Sequence, residues 1–262
     1  MLEFLRTRLA QGTQTIPFPE MAPAFPERYR GRPLLECGAC GEGQCPAGRA
    51  DCPTSLIRNG ADGRATLDLG ACLFAPEEAV GATGCGVRFS HDHRMAASSA
   101  EALRSARDEV QLAHSLGAQM QRVFGRSLRL RSVVAGSCNG CEGELVALGN
   151  VVFDLGRFGV EFVASPRHAD GIVITGVVNR NMRHALQATY DAMPDPRLVI
   201  AVGACAISGG PFQGSPEIVG IPPSMSVHLW IPGCPPHPLT ILDGLLRLLG
   251  RLDDRKVAAL RG

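Results

Sequence analysis

Aromatic side chains are scarce in this sequence: one Trp and two Tyr, with ten Phe, in 262 residues. A base-stacking platform for single-stranded nucleic acid needs several exposed rings in series, so that function is not expected. Excess charge is also missing, since 26 Lys+Arg are balanced by 25 Asp+Glu. Binding driven by a strongly basic face is therefore excluded, and no nucleic-acid partner is expected. Long apolar runs are absent too, and none approaches the roughly 20 residues that span a bilayer. The opening "MLEFLRTRLAQGTQT" carries acids and bases but no apolar core segment or small-residue cleavage site. No export signal is read there, and a cytosolic chain is expected, one that could sit on a membrane-bound partner.

Cysteine, in contrast, is plentiful: Cys37, Cys40, Cys45, Cys52, Cys72, Cys85, Cys138, Cys141, Cys205 and Cys234. In a chain that is not exported, clustered cysteines read as metal ligands rather than disulfides. No motif supports a Ser/His/Asp hydrolase. "GSCNG" has neither the GxGxxG pattern nor a P-loop Lys, so nucleotide or flavin binding is not expected. "HDH" at 91 to 93 is assigned no site, because alternating histidines are commoner on a polar strand or loop.

Three regions follow from composition. Residues 1–97 are rich in Pro, Gly and Cys. Within them "TIPFPEMAPAFPERYRGRP" reads as an extended arm, because prolines disfavour helix around them. "LECGACGEGQCPAGRADCPTSLI" then places four cysteines within sixteen positions, which suggests a small module stapled by metal. Residues 98–127 read as a helical linker, with Ser98 or Ser99 as cap and Glu101 near the third helical position. From residue 128 onward, Val- and Ile-rich runs ("LRLRSVVAG", "VEFVAS", "GIVITG", "RLVIAVG", "SVHLWIPG") alternate with helical spacing, ending in "PLTILDGLLRLLG". That alternation predicts an α/β domain over 128–262 with a parallel sheet covered on both faces.

In this last domain each notable cysteine lies just past a predicted strand. Cys138 and Cys141 follow "SVVAGS", Cys205 follows "VIAVGA" and Cys234 follows "LWIPG". Sites in doubly wound sheets assemble beyond the carboxyl ends of the strands, so the four should converge. Four thiolates suit zinc or an iron–sulfur cluster. Structural zinc sites generally use two close pairs. Here there is one close pair and two single cysteines, with 63 residues between Cys141 and Cys205 and 28 between Cys205 and Cys234. Pro235 after Cys234 also matches the end of many ferredoxin runs. An iron–sulfur cluster is the favoured reading, and the competitor is cysteines that are simply buried small hydrophobes. Gly-rich surroundings would let the backbone approach such a group closely.

"GSCNGCEGELVALGNVVFDLGRFGVEFVASPRHADGIVITG", "GACAISGG" and "IPGCPPHP" together resemble the small subunit of membrane-bound, energy-converting group 4 [NiFe] hydrogenases. They are similar also to the cluster subunit of respiratory complex I that meets quinone. The resemblance spans about residues 128–250. It implies a flavodoxin-like sheet and a [4Fe-4S] cluster held by Cys138, Cys141, Cys205 and Cys234. The CxxC form and the absence of cysteine among the 28 residues after Cys234 favour the energy-converting branch, since the complex I subunit typically has adjacent cysteines there. Glu144 matches a family carboxylate expected to relay protons, with Glu142 the less favoured neighbour. A carboxylate beside metal centres could exchange protons near neutrality, whereas the plainer reading is a solvated Glu at a helix start. Arg157 and Arg167 match positions near the cluster face, where they could tune a cluster or pair with a partner.

Cys37-x2-Cys40-x4-Cys45-x6-Cys52-Pro53 has the ligand count for a second cluster, with an expanded centre relative to the run C-x2-C-x2-C-x3-C-P. Its surroundings are similar to the two-cluster ferredoxin-like subunit of the same complexes, so residues 1–97 resemble a degenerate, small and irregular ferredoxin-like domain fused ahead of the small subunit. Tetrahedral zinc is the competing reading for these four cysteines. The second ferredoxin run is largely missing, and Cys72 and Cys85 are expected to be free buried thiols.

The resemblance implies an electron-transfer subunit rather than the site of hydrogen chemistry. Its expected partners are a large subunit carrying Ni-Fe, a ferredoxin-like or formate-oxidising electron donor, and complex I-like membrane subunits. The expected location is the cytoplasmic face of the inner membrane, as a peripheral part of a membrane-bound complex. The alternatives are a complex I-like quinone oxidoreductase subunit without nickel and, from another class, a zinc-binding structural scaffold. Leu2, Phe4, Leu5 and Leu9 have roughly helical spacing. They suggest a short amphipathic helix that docks on a membrane-embedded partner or packs on its own domain.

Overall fold

The computed structural model of the protein describes residues 2–21, 24–37, 56–59, 65–75, 85–105, 110–125 and 127–252. Helix α1 (Leu2–Gln11) comes first, and none of its residues is buried. The proline-rich arm that follows shows no helix or strand among its described residues as far as Arg32, as expected from its prolines. It is tied to the rest of the chain by backbone: the Ile16 N–H donates to Val152 O at 3.0 Å, and Phe18 is buried.

Five short strands follow: β1 (Pro33–Cys37), β2 (Ile57–Asn59), β3 (Ala65–Asp68), β4 (Cys85–Phe89) and β5 (Arg104–Ser105). β1 and β4 pair antiparallel, while β2, β3 and β5 form a separate three-stranded antiparallel sheet. The helix expected over 98–127 is present only as α2 (Ala118–Phe124) among the described residues. Ser99 Oγ accepts the Ala102 N–H beside a single short helical turn (Glu101–Leu103), and Ser98 Oγ accepts the N–H of His114, sixteen residues on. Ala96 O accepts the Ala113 N–H, and Ala97 forms a bridge to Trp230, which holds this stretch against the next domain.

The remainder runs β6 (Leu128–Val134), α3 (Gly140–Ala147), β7 (Val160–Phe162), β8 (Gly171–Thr175), α4 (Arg180–Asp191), β9 (Leu198–Val202), α5 (Ala204–Ser208), β10 (Leu229–Ile231) and α6 (Pro238–Leu248). All five expected strands are present. They form one parallel sheet in the order β10-β9-β8-β6-β7. Counted from β6 this is the 2-1-3-4-5 order of flavodoxin-like folds, with the strand order reversing between β6 and β8. Every residue of β8 and β9 is buried, as helices on both faces of a parallel sheet require.

One face of the sheet packs Leu128, Leu130, Ile200 and Leu229 against Leu242, Leu245 and Leu246 of α6. The same core takes in Phe18, Ala96, Ala113 and Phe124 from the first half of the chain. α6 is therefore buried along its whole length. A Cβ on Gly244 would lie 2.7 Å from the Ala96 Cβ, so only glycine allows this approach. Within α6, Arg247 Nε donates to Asp243 Oδ2 at 2.8 Å, and both side chains are buried. The other face packs Ile172, Ile174 and Val199 against Leu186 and Met193. A third, smaller cluster joins Leu69, Met95, Ala97 and Leu103 to Ile207 and Trp230.

Candidate metal centre

Each half of the centre is built by a loop that leaves the carboxyl end of a strand. After β6, Asn139 adopts a left-handed conformation (φ 69°) at the position before α3, without a side-chain capping bond. That turn leaves Cys138 exposed in the loop and puts Cys141, half-buried, in the first turn of the helix. After β9, Gly203 leads into α5, which carries Cys205, and after β10 the loop "PGCPP" presents Cys234. The loops are joined by backbone: the Gly203 N–H donates to Ile231 O and the Ala204 N–H to Gly233 O, both at 2.9 Å. The expected convergence of four cysteines at one end of the sheet follows from these connections.

Glycine makes room for the sulfurs. A Cβ on Gly203, whose φ is +89°, would stand 2.5 Å from Cys141 Sγ, and one on Gly210 would stand 2.9 Å from Cys205 Sγ. Burial is the main reason that the Cys141 thiol is pushed up to about 12, followed by repulsion from Glu142 and the other three cysteines. Cys205 is pushed up to about 11 by burial and then by Cys234 and Cys138, and Cys234 is raised by burial and Cys138. Cys141, Cys205 and Cys234 are thus each raised in part by neighbouring thiols. Gathered thiolates of this kind are stable only around cations, which is what an iron–sulfur cluster provides. Among the described residues no three Cys, His, Asp or Glu groups stand close enough together to hold a single ion.

The two carboxylates beside the centre have different surroundings. Glu142 is tied to the sheet, accepting a hydrogen bond from Ser137 Oγ at 2.8 Å and another from Thr175 Oγ1 at the end of β8. Glu144 faces a cavity of about 430 Å³ lined by Arg28, Tyr29, Arg30, Pro235 and His237, and burial raises its pKa. The first-half arm thus forms one wall beside Glu144, which sequence spacing did not reveal. His237 caps α6, its Nδ1 accepting the Leu239 N–H at 3.1 Å, and it packs edge-on to Phe25 and Tyr29. The motif "PPHP" was the only signal for it.

Arg157 is engaged by the first-half arm. Its Nη2 donates to Ile16 O at 2.8 Å and Phe18 O at 3.1 Å, clamping the arm, and its guanidinium lies over Phe158. Arg167 is exposed on the short turn Pro166–His168. His93 of the unassigned "HDH" is buried among Phe18 and Phe25. Cys72 is buried as expected, and its Sγ accepts the Phe74 N–H at 3.3 Å. Cys37 ends β1, whereas Cys40, Cys45 and Cys52 lie outside the described residues.

A flavodoxin-like sheet with four cysteines at its switch-point end defines a class of metal-binding redox proteins. Residues 138–248 match the family model described as NADH ubiquinone oxidoreductase, 20 Kd subunit. The chain is 40% identical over 136 residues to a protein named probable membrane-bound hydrogenase subunit mbhJ, from Pyrococcus furiosus, covering 52% of this chain and 81% of that one. It is 43% identical over 116 residues to an NADH-quinone oxidoreductase subunit of Citrifermentans bemidjiense, covering 44% of this chain and 68% of that one. A solved chain from a membrane-bound sulfane sulfur reductase, an archaeal respiratory membrane complex, is 33% identical. It covers 52% of this chain and 75% of that chain, with a TM-score of 0.42. The chain belongs to the family of the 20 kDa subunit of NADH ubiquinone oxidoreductase.

Proposed function

We propose that the chain is the electron-transfer subunit of a membrane-associated, energy-converting [NiFe] hydrogenase complex. Its relatives are subunits of oxidoreductase complexes, of hydrogenase type and of NADH-quinone oxidoreductase type. The observation that carries the reading is the set Cys138, Cys141, Cys205 and Cys234, brought to one end of the sheet with glycine packed directly against two of the sulfurs. An iron–sulfur cofactor fits this donor set, and we assign it as [4Fe-4S] with these four cysteines as ligands. When bound, such a cluster supplies one-electron transfer. The protein's part is to exclude water from Cys141, to offer backbone N–H groups around the thiols, and to hold Glu142 fixed while Glu144 faces open space.

Glu144 is the proposed proton-relay residue, since burial raises its pKa toward the range where protons exchange. Cys37, Cys40, Cys45 and Cys52 would hold a second centre in a ferredoxin-like module over residues 1–97, joined through 98–127 to the sheet domain. The proposed partners are a Ni-Fe large subunit, a ferredoxin-like or formate-oxidising donor, and complex I-like membrane subunits. Exposed Val146 and Phe162 line an apolar groove of about 450 Å³ beside Glu142, the kind of patch that a partner covers. No helix among the described residues is long and apolar enough to cross a membrane. Attachment at the cytoplasmic face of the inner membrane would therefore run through partners or α1.

A quinone-linked complex without nickel is the second reading, favoured by the 43% identity to a quinone oxidoreductase subunit. Metal analysis of the anaerobically purified complex, tagged on this chain, separates the two. Iron with stoichiometric nickel, together with hydrogen evolution, supports the hydrogenase reading. Iron without nickel moves the assignment to the quinone branch. Zinc in place of iron removes both and leaves the structural scaffold.

A further inference from the structure

We infer that Tyr29, Thr240 and His93, with water held between them, form a proton path through the seam where the first half meets α6, joining the cavity of Glu144 to Asp92. This path rests on the reading of Glu144 as a proton-relay residue and extends it inward. Three buried polar atoms gather in the seam without a hydrogen-bond partner among the described residues: the Tyr29 hydroxyl, the Thr240 hydroxyl and His93 Nε2. Thr240 is wholly buried and His93 is 6% exposed. Leaving one buried polar atom unsatisfied is costly. Three in one place are the mark of internal water, which typically bonds about three such groups.

One ring ties these groups together. Phe25 stacks on Tyr29 with 4.1 Å between centroids, and it lies 5.6 Å from His93 and 5.4 Å from His237. Thr240 stands in the first turn of α6, where its N–H donates to His237 O at 2.8 Å. Burial pushes Tyr29 up to about 12, and the nearby Thr240 hydroxyl opposes that rise. Tyr29 and His237 also line the cavity that Glu144 faces, so Tyr29 borders both the cavity and the seam. At the other end, the charge of Asp92 acts on Tyr29 and on His93, and its side chain is 18% exposed.

The chemistry of the three groups suits a relay. Burial holds His93 down to about 4, so it is neutral near pH 7, as Tyr29 is. A neutral imidazole has one N–H and one lone pair, and a hydroxyl both donates and accepts. Each group can therefore take a proton on one side while giving one up on the other. A proton taken from solvent at Asp92 releases another toward Glu144, and every group between ends in the charge state in which it began. The charged neighbours leave this line free. Although burial works against it, Arg94 and Arg32 keep the Asp92 carboxyl below its ordinary value. Asp243 and Arg247 of α6 are bonded to each other at 2.8 Å, and burial keeps His237 below its ordinary value.

The test uses the anaerobically purified complex with the full chain. Turnover (hydrogen evolution, or quinone reduction where nickel is missing) is measured in H2O and in D2O for Tyr29→Phe, Thr240→Val, Thr240→Ser and Glu144→Gln. The electron paramagnetic signal of the Cys138 set is recorded for each. Tyr29→Phe and Thr240→Val should each lower turnover at least about 10-fold and raise the solvent isotope effect, with the signal unchanged. Thr240→Ser, which keeps the hydroxyl, should restore most of the rate. Wild-type turnover in Tyr29→Phe and Thr240→Val beside a loss in Glu144→Gln overturns the path alone. So does a lowered rate with the wild-type isotope effect, which reports a structural role. Wild-type turnover in Glu144→Gln removes the relay reading of Glu144, and the path with it. The water is tested by urea unfolding of the full chain. Thr240→Val should lower the midpoint, because it strips a partner from bound water, and a raised midpoint would show a dry seam and overturn the path. If Thr240→Val does not fold, Tyr29→Phe carries both measurements.

Discussion

The two halves of the chain place their cysteines by opposite means. In the second half, four cysteines widely separated in sequence come together because each sits where a strand of one parallel sheet ends. In the first half, four cysteines fall within sixteen positions, and the antiparallel β1–β4 ladder brings a fifth, Cys85, opposite the first of them. A site assembled from strand ends is held by the fold itself, whereas a site within one run depends on metal to order a segment poor in apolar residues. The two should respond differently to damage.

The largest difference is expected at the ligands. Cys141→Ser should abolish the cluster signal of the sheet domain and lower electron transfer by at least about 100-fold, with the sheet still folded by circular dichroism. Unfolding of the sheet on this change would show that the centre, not the core, holds this half together. Next comes Gly203. Valine there would force a side chain onto Cys141 Sγ at a φ of +89°, at a cost on the order of 3 kcal/mol in strain and overlap. Iron loading should fall with stability in a denaturant titration, and wild-type loading would show that the loop yields instead.

A smaller effect probes the seam between the halves through pH. Burial holds His93 down to about 4, against Asp92, with Arg94, His237 and Arg247 adding to the lowering. From about pH 4 to 6.5 the unfolded chain carries the His93 proton and the folded chain does not, so this group makes stability rise with pH. Burial pushes Asp243 up to about 6 despite Arg247 and Arg94. Between about pH 4 and 6 the folded chain carries that proton and the unfolded chain does not, so there Asp243 makes stability fall as pH rises. Between pH 5 and 6 the two slopes oppose. His93→Gln should therefore tilt the curve by about 1.4 kcal/mol per pH unit toward lower stability at pH 6. Urea unfolding at the two pH values reads the tilt, and parallel curves for variant and wild type would exclude it.

Smaller again is the clamp on the arm. Arg157→Ala removes two hydrogen bonds from a largely exposed guanidinium, for about 1 kcal/mol. Protease cleavage near Phe18 should rise while iron content holds, and iron loss would return Arg157 to the cluster face. Smallest for stability is deletion of residues 2–12, which buries nothing and should change unfolding by less than about 0.5 kcal/mol. Association with the membrane fraction should drop several-fold, and unchanged association would rule out docking through α1.

The sheet was legible because its strands are Val- and Ile-rich runs at regular spacing and its cysteines follow them directly. Local pattern could not show what the first half does for the second. Ser98 and Ser99 look like caps of a long helix, but the turn beside Ser99 runs only over Glu101–Leu103, and the pairing of Ala97 with Trp230 ties the chain elsewhere. Gly203 and Gly210 bound the quoted run "GACAISGG", but which sulfur each one makes room for, like the place of Tyr29 beside Glu144, depends on what stands opposite in space. The resemblance could not show that the Arg157 guanidinium holds the arm, which only the folded chain brings within reach.

The bridge between Ala97 and Trp230 has a consequence for anyone who would divide this protein. Trp230 exchanges both backbone hydrogen bonds with Ala97 at 2.9 Å, along the outer edge of β10. Cut away the first hundred residues and that edge is left bare beside the stripped flank of α6. A naked strand edge next to an apolar helix is a template for polymerisation. A fragment beginning at residue 128 should therefore precipitate or dimerise rather than serve as a miniature of the whole.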